Sequence, residues 1–183
     1  MDQDQHIAVA AKTHYRLLQR PVWMTLTRSC DDVASYIAML ERDGHCVETF
    51  AQEIMSETAF KAGFEINTVE VGEATGRELT NKRSPTLAEI FTGISNIGGG
   101  LLPAWAGPEL CKQCHNQSRN VWRFVAMEPI RGILGFVPFI FGVGHSNQGH
   151  SLWATPGFPS DHFQGGRRWM FRRKCPCQLD VEI

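Results

Sequence analysis

Cys111-Lys112-Gln113-Cys114-His115 opens a hydrophobic, glycine-bearing run, and Arg172-Arg173-Lys174-Cys175-Pro176-Cys177 closes it about sixty residues later. A close cysteine pair is how a chain presents two thiolates from one turn, which is half of a tetrahedral zinc shell. Cys111/Cys114 has the ordinary spacing and Cys175/Cys177 is one residue shorter. A disulfide within the shorter pair closes a small, strained ring. The four are therefore read as one structural zinc site, with Cys111, Cys114, Cys175 and Cys177 as metal ligands and His115 or another histidine as the substitute for a cysteine. A full thiolate shell leaves no open position for substrate, so its expected task is to clasp the end of a β-rich segment.

Working outward, the run between the pairs reads as strands: Val121–Met127, Ile133–Phe141, Arg168–Lys174 and Gln178–Ile183, the last alternating apolar and acidic residues. Before it lie helical patterns. Ser29-Cys-Asp-Asp32 reads as a capping box ahead of a helix from 31 to 43, and Gly44 supplies a left-handed stop. A second helix is expected over 47–62, a strand over 64–71, a connection over 72–83, and a third helix begun by Ser84-Pro85 and ended at Gly98. Gly98-Gly99-Gly100 reads as a hinge or boundary. The predicted fold is α+β in a single domain, 1–183. Residues 1–100 are mainly helical with one strand, and they pack with a zinc-closed antiparallel β half over 104–183.

Composition narrows the class. Hydrophobic residues make up 43% and charged residues 20% of the 183, the balance of a globular chain with a core of its own. The net charge of −1 hides an asymmetry: residues 1–103 carry 9 Lys/Arg against 14 Asp/Glu, and residues 104–183 carry 9 against 5. A basic second half suits an anionic partner. Residues 132–144 form the most apolar stretch, at 13 residues too short for the about 20 that a membrane span needs. The first residues, Met1-Asp-Gln-Asp-Gln-His, lack the basic and apolar regions of a secretory signal, and six cysteines then suggest a cytoplasmic, reducing setting. Cys-Lys-Gln-Cys-His also matches the attachment pattern of c-type haem, which needs export to the compartment where haem is attached.

Two groups of residues carry candidate chemistry. His145 and His150 flank a polar island, and with His162 they form a histidine cluster able to line one cleft as general acid and base or as metal ligands. Arg167, Arg168, Arg172, Arg173 and Lys174 interleave with Trp169 and Phe171. On a strand, Trp169 and Phe171 face one way and Arg168, Met170, Arg172 and Lys174 the other, a pattern suited to phosphates with an aromatic stacked on a base. Phe158-Pro-Ser-Asp-His162 resembles a central motif of the type-2 phosphatidic acid phosphatases, in which the histidine acts on a phosphate. The family's other motifs are missing in order and spacing, so nothing is carried over from it.

The leading expectation is a zinc-stabilised binding protein that contacts nucleic acid or another polyanion through its basic C-terminal strand. The alternative is a small hydrolase or nuclease-like effector using His145, His150 and His162. A third reading is a protein–protein module presenting Leu101–Trp105 to a partner.

Overall fold

The computed structural model describes residues 22–132, 135–147 and 149–173. Its elements in chain order are β1 (Met24–Thr27), α1 (Val33–Arg42), β2 (Cys46–Val47), α2 (Thr49–Ser56), α3 (Thr58–Lys61), β3 (Thr68–Thr75), α4 (Gly76–Thr80), α5 (Leu87–Asn96), β4 (Gly99–Gly100), α6 (Ala106–Gln113), β5 (Arg123–Val125), β6 (Ile130–Arg131), β7 (Pro138–Ser146), β8 (Gly149–Pro156) and β9 (Arg168–Arg173). The strands form one curled, mixed sheet in the order β1-β3-β9-β5-β7-β8-β2, with β4 beside β9 and β6 beside β7.

Local chemistry explains where the helices start. At α1 the capping side chain is Asp32, whose carboxylate accepts from the Ser35 N–H at 2.8 Å and from its hydroxyl. Ser29 is drawn away into a bond with a buried carboxylate. Thr75 with Glu78 and Thr86 with Glu89 form reciprocal capping boxes at α4 and α5. The expected connection over 72–83 is therefore the end of β3 followed by a helical turn. The expected helix over 47–62 divides instead into β2, α2 and α3, broken where Glu57 adopts an extended conformation. The strand expected over 64–71 lies at Thr68–Thr75.

The sheet corrects the picture of a helical half beside an antiparallel β half. β1 and β3 belong to the same sheet as the later strands, and β9 lies between β3 and β5, antiparallel to the first and parallel to the second. β2 pairs in parallel with β8. First-half strands are thus paired with second-half strands along both flanks, because sheet hydrogen bonding joins whatever extended segments the chain brings side by side. The Gly98–Gly100 segment is likewise no boundary. Gly98 turns with φ +69°, and Gly99-Gly100 pair with Arg173-Arg172.

The core lies between the sheet and helices α1, α2, α5 and α6. Tyr36, Phe60 and Phe141 meet edge to face within it, and Trp169 stacks on Phe124 at 5.2 Å between centroids. Both faces of the middle of β9 are covered: Trp169, Met170 and Phe171 are all buried, so the strand offers no aromatic surface to a partner. Leu102, Ala104 and Trp105 are buried too, which withdraws Leu101–Trp105 as a docking surface. Among the described residues no helix is long and apolar enough to cross a membrane.

Candidate metal centre

Three chain segments converge under the β7–β8 hairpin. The first is the end of α1. Gly44, at φ +80°, donates its N–H to Glu41 O, and His45 donates its N–H to Leu40 O. This left-handed glycine cap fixes the His45 backbone at the point where the chain turns into β2. The parallel register Cys46↔Ser151 then puts His45 alongside His150, the second segment. His150 lies near the start of β8, cross-strand from His145 on β7.

The third segment is α6, which carries Cys111. It comes close to β7 because Gly107 has no side chain: a Cβ there falls 2.6 Å from Phe141 Cδ2. Two residues before the cysteine, the buried Glu109 Oε1 accepts from the Ser29 N–H at 2.7 Å, the Ser29 hydroxyl at 2.6 Å and the Tyr36 hydroxyl at 3.1 Å. These bonds tie α6 to α1 and to the loop before it. Burial, with the neighbouring Glu109 carboxylate adding to it, holds the Tyr36 hydroxyl protonated, well above its ordinary range.

His150 Nδ1 lies 3.2 Å from His45 Nδ1 and 3.7 Å from Cys111 Sγ. One donor atom from each of the three residues lies within 4.8 Å of the others, and exposure is 8% for His45, 0% for Cys111 and 7% for His150. Buried His45, Cys111 and His150 therefore lie close enough to bind a metal ion. Burial pushes His150 down to about 4, helped by His45 and His145, and lowers His45 as well. Both imidazoles are neutral at pH 7, the form that ligates metals. Burial first, then Cys114 and Cys46, raise the Cys111 thiol well above its usual range. A metal-free Cys111 is thus a thiol and not an activated thiolate.

His150 Nε2 is buried without a hydrogen-bond partner among the described residues, and the ring's contacts to His45 and Cys111 are made by Nδ1. An unmet buried N–H costs about 1–3 kcal/mol.

The expected sites are redistributed. Of the four cysteines, Cys111 joins the cluster. Cys114 is buried elsewhere at the end of α6, its thiol pushed up to about 11 mainly by burial, with the Arg123 charge opposing and that of Glu73 adding. Cys175, Cys177 and Lys174 lie outside the described residues, as does the expected strand over 178–183. His145 and His150 come together, with ring centroids 5.1 Å apart. His162 does not join them: its Nδ1 bonds the Ser84 carbonyl oxygen, and the residue bridges to Thr86 at the start of α5. The third imidazole is His45, which sequence reasoning passed over. Its only signal was the glycine before it, which marks where α1 stops.

In the basic strand, Trp169 is 0% exposed and offers no stacking surface. Arg168 pairs with Glu73 at 2.6 Å, Arg123 shares that carboxylate, and Arg167 lies over the Trp122 ring. Arg172 and Arg173 are half-buried at the end of β9.

No protein-family model matches the chain, and no curated protein or solved structure matches it.

Proposed function

We propose that this protein holds a zinc ion at His45, Cys111 and His150, and that the ion is structural. It locks the α1–β2 turn, helix α6 and the β7–β8 hairpin into one unit. One observation carries the reading. At zinc–nitrogen and zinc–sulfur bonds of about 2.0 and 2.3 Å, the edges of a tetrahedron are about 3.3 Å for N···N and about 3.6 Å for S···N. The separations here are 3.2 and 3.7 Å.

One thiolate with imidazoles is a borderline-soft donor set of the kind zinc takes in four-coordinate sites. The ion deprotonates the thiol, which burial otherwise keeps protonated. The three residues are buried, and that favours a closed centre over one that exchanges substrate. The polyanion reading has less behind it, because Trp169 is in the core and Arg168 is held by Glu73. The hydrolase reading loses one of its three histidines to a separate loop.

The test is metal content of the full chain by elemental analysis, paired with thermal unfolding before and after chelation. The expected result is one zinc per chain, a fall in Tm when it is removed, and loss of both zinc and the chelator effect in His150→Ala and Cys111→Ser. A wild-type chain that takes up no zinc, or whose zinc survives both substitutions, overturns the proposal.

A further inference from the structure

Three protein donors leave one corner of a zinc tetrahedron, and structural sites fill all four from the chain. We infer that His145 is the fourth ligand of the same ion, binding through Nδ1. This rests on the zinc reading above and completes it as a one-cysteine, three-histidine centre.

Three independent features of His145 support the assignment. It is the cross-strand partner of His150 in the β7–β8 ladder, and side chains of directly opposed residues project to one face with Cβ atoms about 5 Å apart. Its ring centroid is 5.1 Å from that of His150, the same separation that His45 keeps from His150. Two imidazoles bound to one tetrahedral ion hold their ring centres about 5 Å apart, from bonds of about 2 Å and the size of the ring. Both histidine pairs therefore already have the spacing of rings sharing an ion.

The third feature is the tautomer. His145 Nε2 lies 3.1 Å from the Gln117 carbonyl oxygen. A carbonyl only accepts, so Nε2 carries the proton and Nδ1 keeps the lone pair. A backbone carbonyl on the far nitrogen is the usual outer support of a metal-bound histidine. That support is itself anchored: the Gln117 side-chain amide donates to Val121 O and Val143 O, both at 3.3 Å. His145 is half-buried and lies outside the group of three whose donor atoms are within 4.8 Å of one another, so the assignment requires its ring to turn inward when the ion binds.

Cys46 is the main rival. It is half-buried and near enough to affect Cys111. Its register partner on β8 is Ser151, however, and successive residues of a strand, here His150 and Ser151, point to opposite faces.

The experiment loads the full chain with cobalt(II) in place of zinc and compares wild type with His145→Gln, His145→Cys, Cys46→Ser and Cys111→Ser. Gln keeps a donor for the Gln117 carbonyl and removes the imidazole. In His145→Gln the thiolate-to-cobalt charge-transfer band should persist, since Cys111 still binds. The visible tetrahedral bands should weaken, and zinc affinity should fall by more than about 100-fold, beyond the loss typical of an outer-sphere partner. His145→Cys should restore the tetrahedral bands with a stronger charge-transfer band, from a second thiolate. Bands and affinity unchanged in His145→Gln overturn the assignment. So does a Cys46→Ser variant that alone loses the tetrahedral bands. A wild-type chain that binds neither cobalt nor zinc fails the zinc reading itself, a result distinct from loss of the fourth ligand alone.

Discussion

His45 and His150 are held with their Nδ1 atoms 3.2 Å apart, two imidazoles from elements 105 residues apart in the chain. Both are buried, and burial disfavours their charged forms. In the metal-free protein one ring donates a proton to the other, and adding a second proton sets two cations side by side in a poorly solvated place.

Acid stability follows from that contact. His150 is held down to about 4 in the folded chain, against about 6.5 for a free histidine. Between those values the unfolded chain binds the extra proton and the folded chain does not, so stability rises with pH through the window and is fully present above it. The chelated protein should lose stability steadily as pH falls from about 6.5 to about 4. Urea midpoints across this range check it. The slope in wild type should exceed that in His150→Gln, and equal slopes reject the assignment.

Thiol reactivity should order the cysteines. Cys30 and Cys46 are half-buried, while Cys111 and Cys114 are buried with thiols raised mainly by burial. In the native, metal-free chain an alkylating reagent should label Cys30 and Cys46 well before Cys111 and Cys114, read by peptide mass spectrometry. Early labelling of Cys111 indicates an open, activated thiol and favours nucleophilic chemistry over a structural ion.

Glu109 is the pin of α6. Glu109→Ala strands the Ser29 N–H, the Ser29 hydroxyl and the fully buried Tyr36 hydroxyl. The expected loss is about 2–4 kcal/mol of unfolding free energy by urea titration. Glu109→Gln keeps an acceptor oxygen and should cost less than half as much. A neutral alanine variant means that water replaces the carboxylate.

Gly107 sets how closely α6 meets the sheet. The methyl of Gly107→Ala meets the Phe141 ring and the start of its side chain. Pushing α6 outward should cost about 1–3 kcal/mol and should weaken zinc binding by carrying Cys111 away from His150. Isothermal titration with zinc separates the two effects. Reduced stability with unchanged affinity places the strain elsewhere.

The sequence was readable where a local rule decided the outcome. Gly44 ends α1 with a positive φ because only a residue without Cβ adopts that conformation freely. The apolar run after Gly132 contributes the buried Ile140, Phe141 and Val143 of β7, because a strand covered on both faces has no need to alternate. The spacing of Cys111 to Cys114 marks Cys111 as a ligand, and its thiol lies in the candidate centre, but its neighbours there come from distant segments and not from along the chain.

What the chain could not disclose is who meets whom. Trp169 and Arg168 look alike in a basic, aromatic stretch, yet one is in the core and the other pairs with Glu73, because β9 is inserted between β3 and β5. His45 carries no motif, and it reaches His150 only through a two-residue parallel pairing of β2 with β8. Local sequence determines caps, turns and apolar runs, since those depend on a few adjacent residues. The cluster His45, Cys111 and His150 depends on strand order and helix packing, which the whole chain settles together.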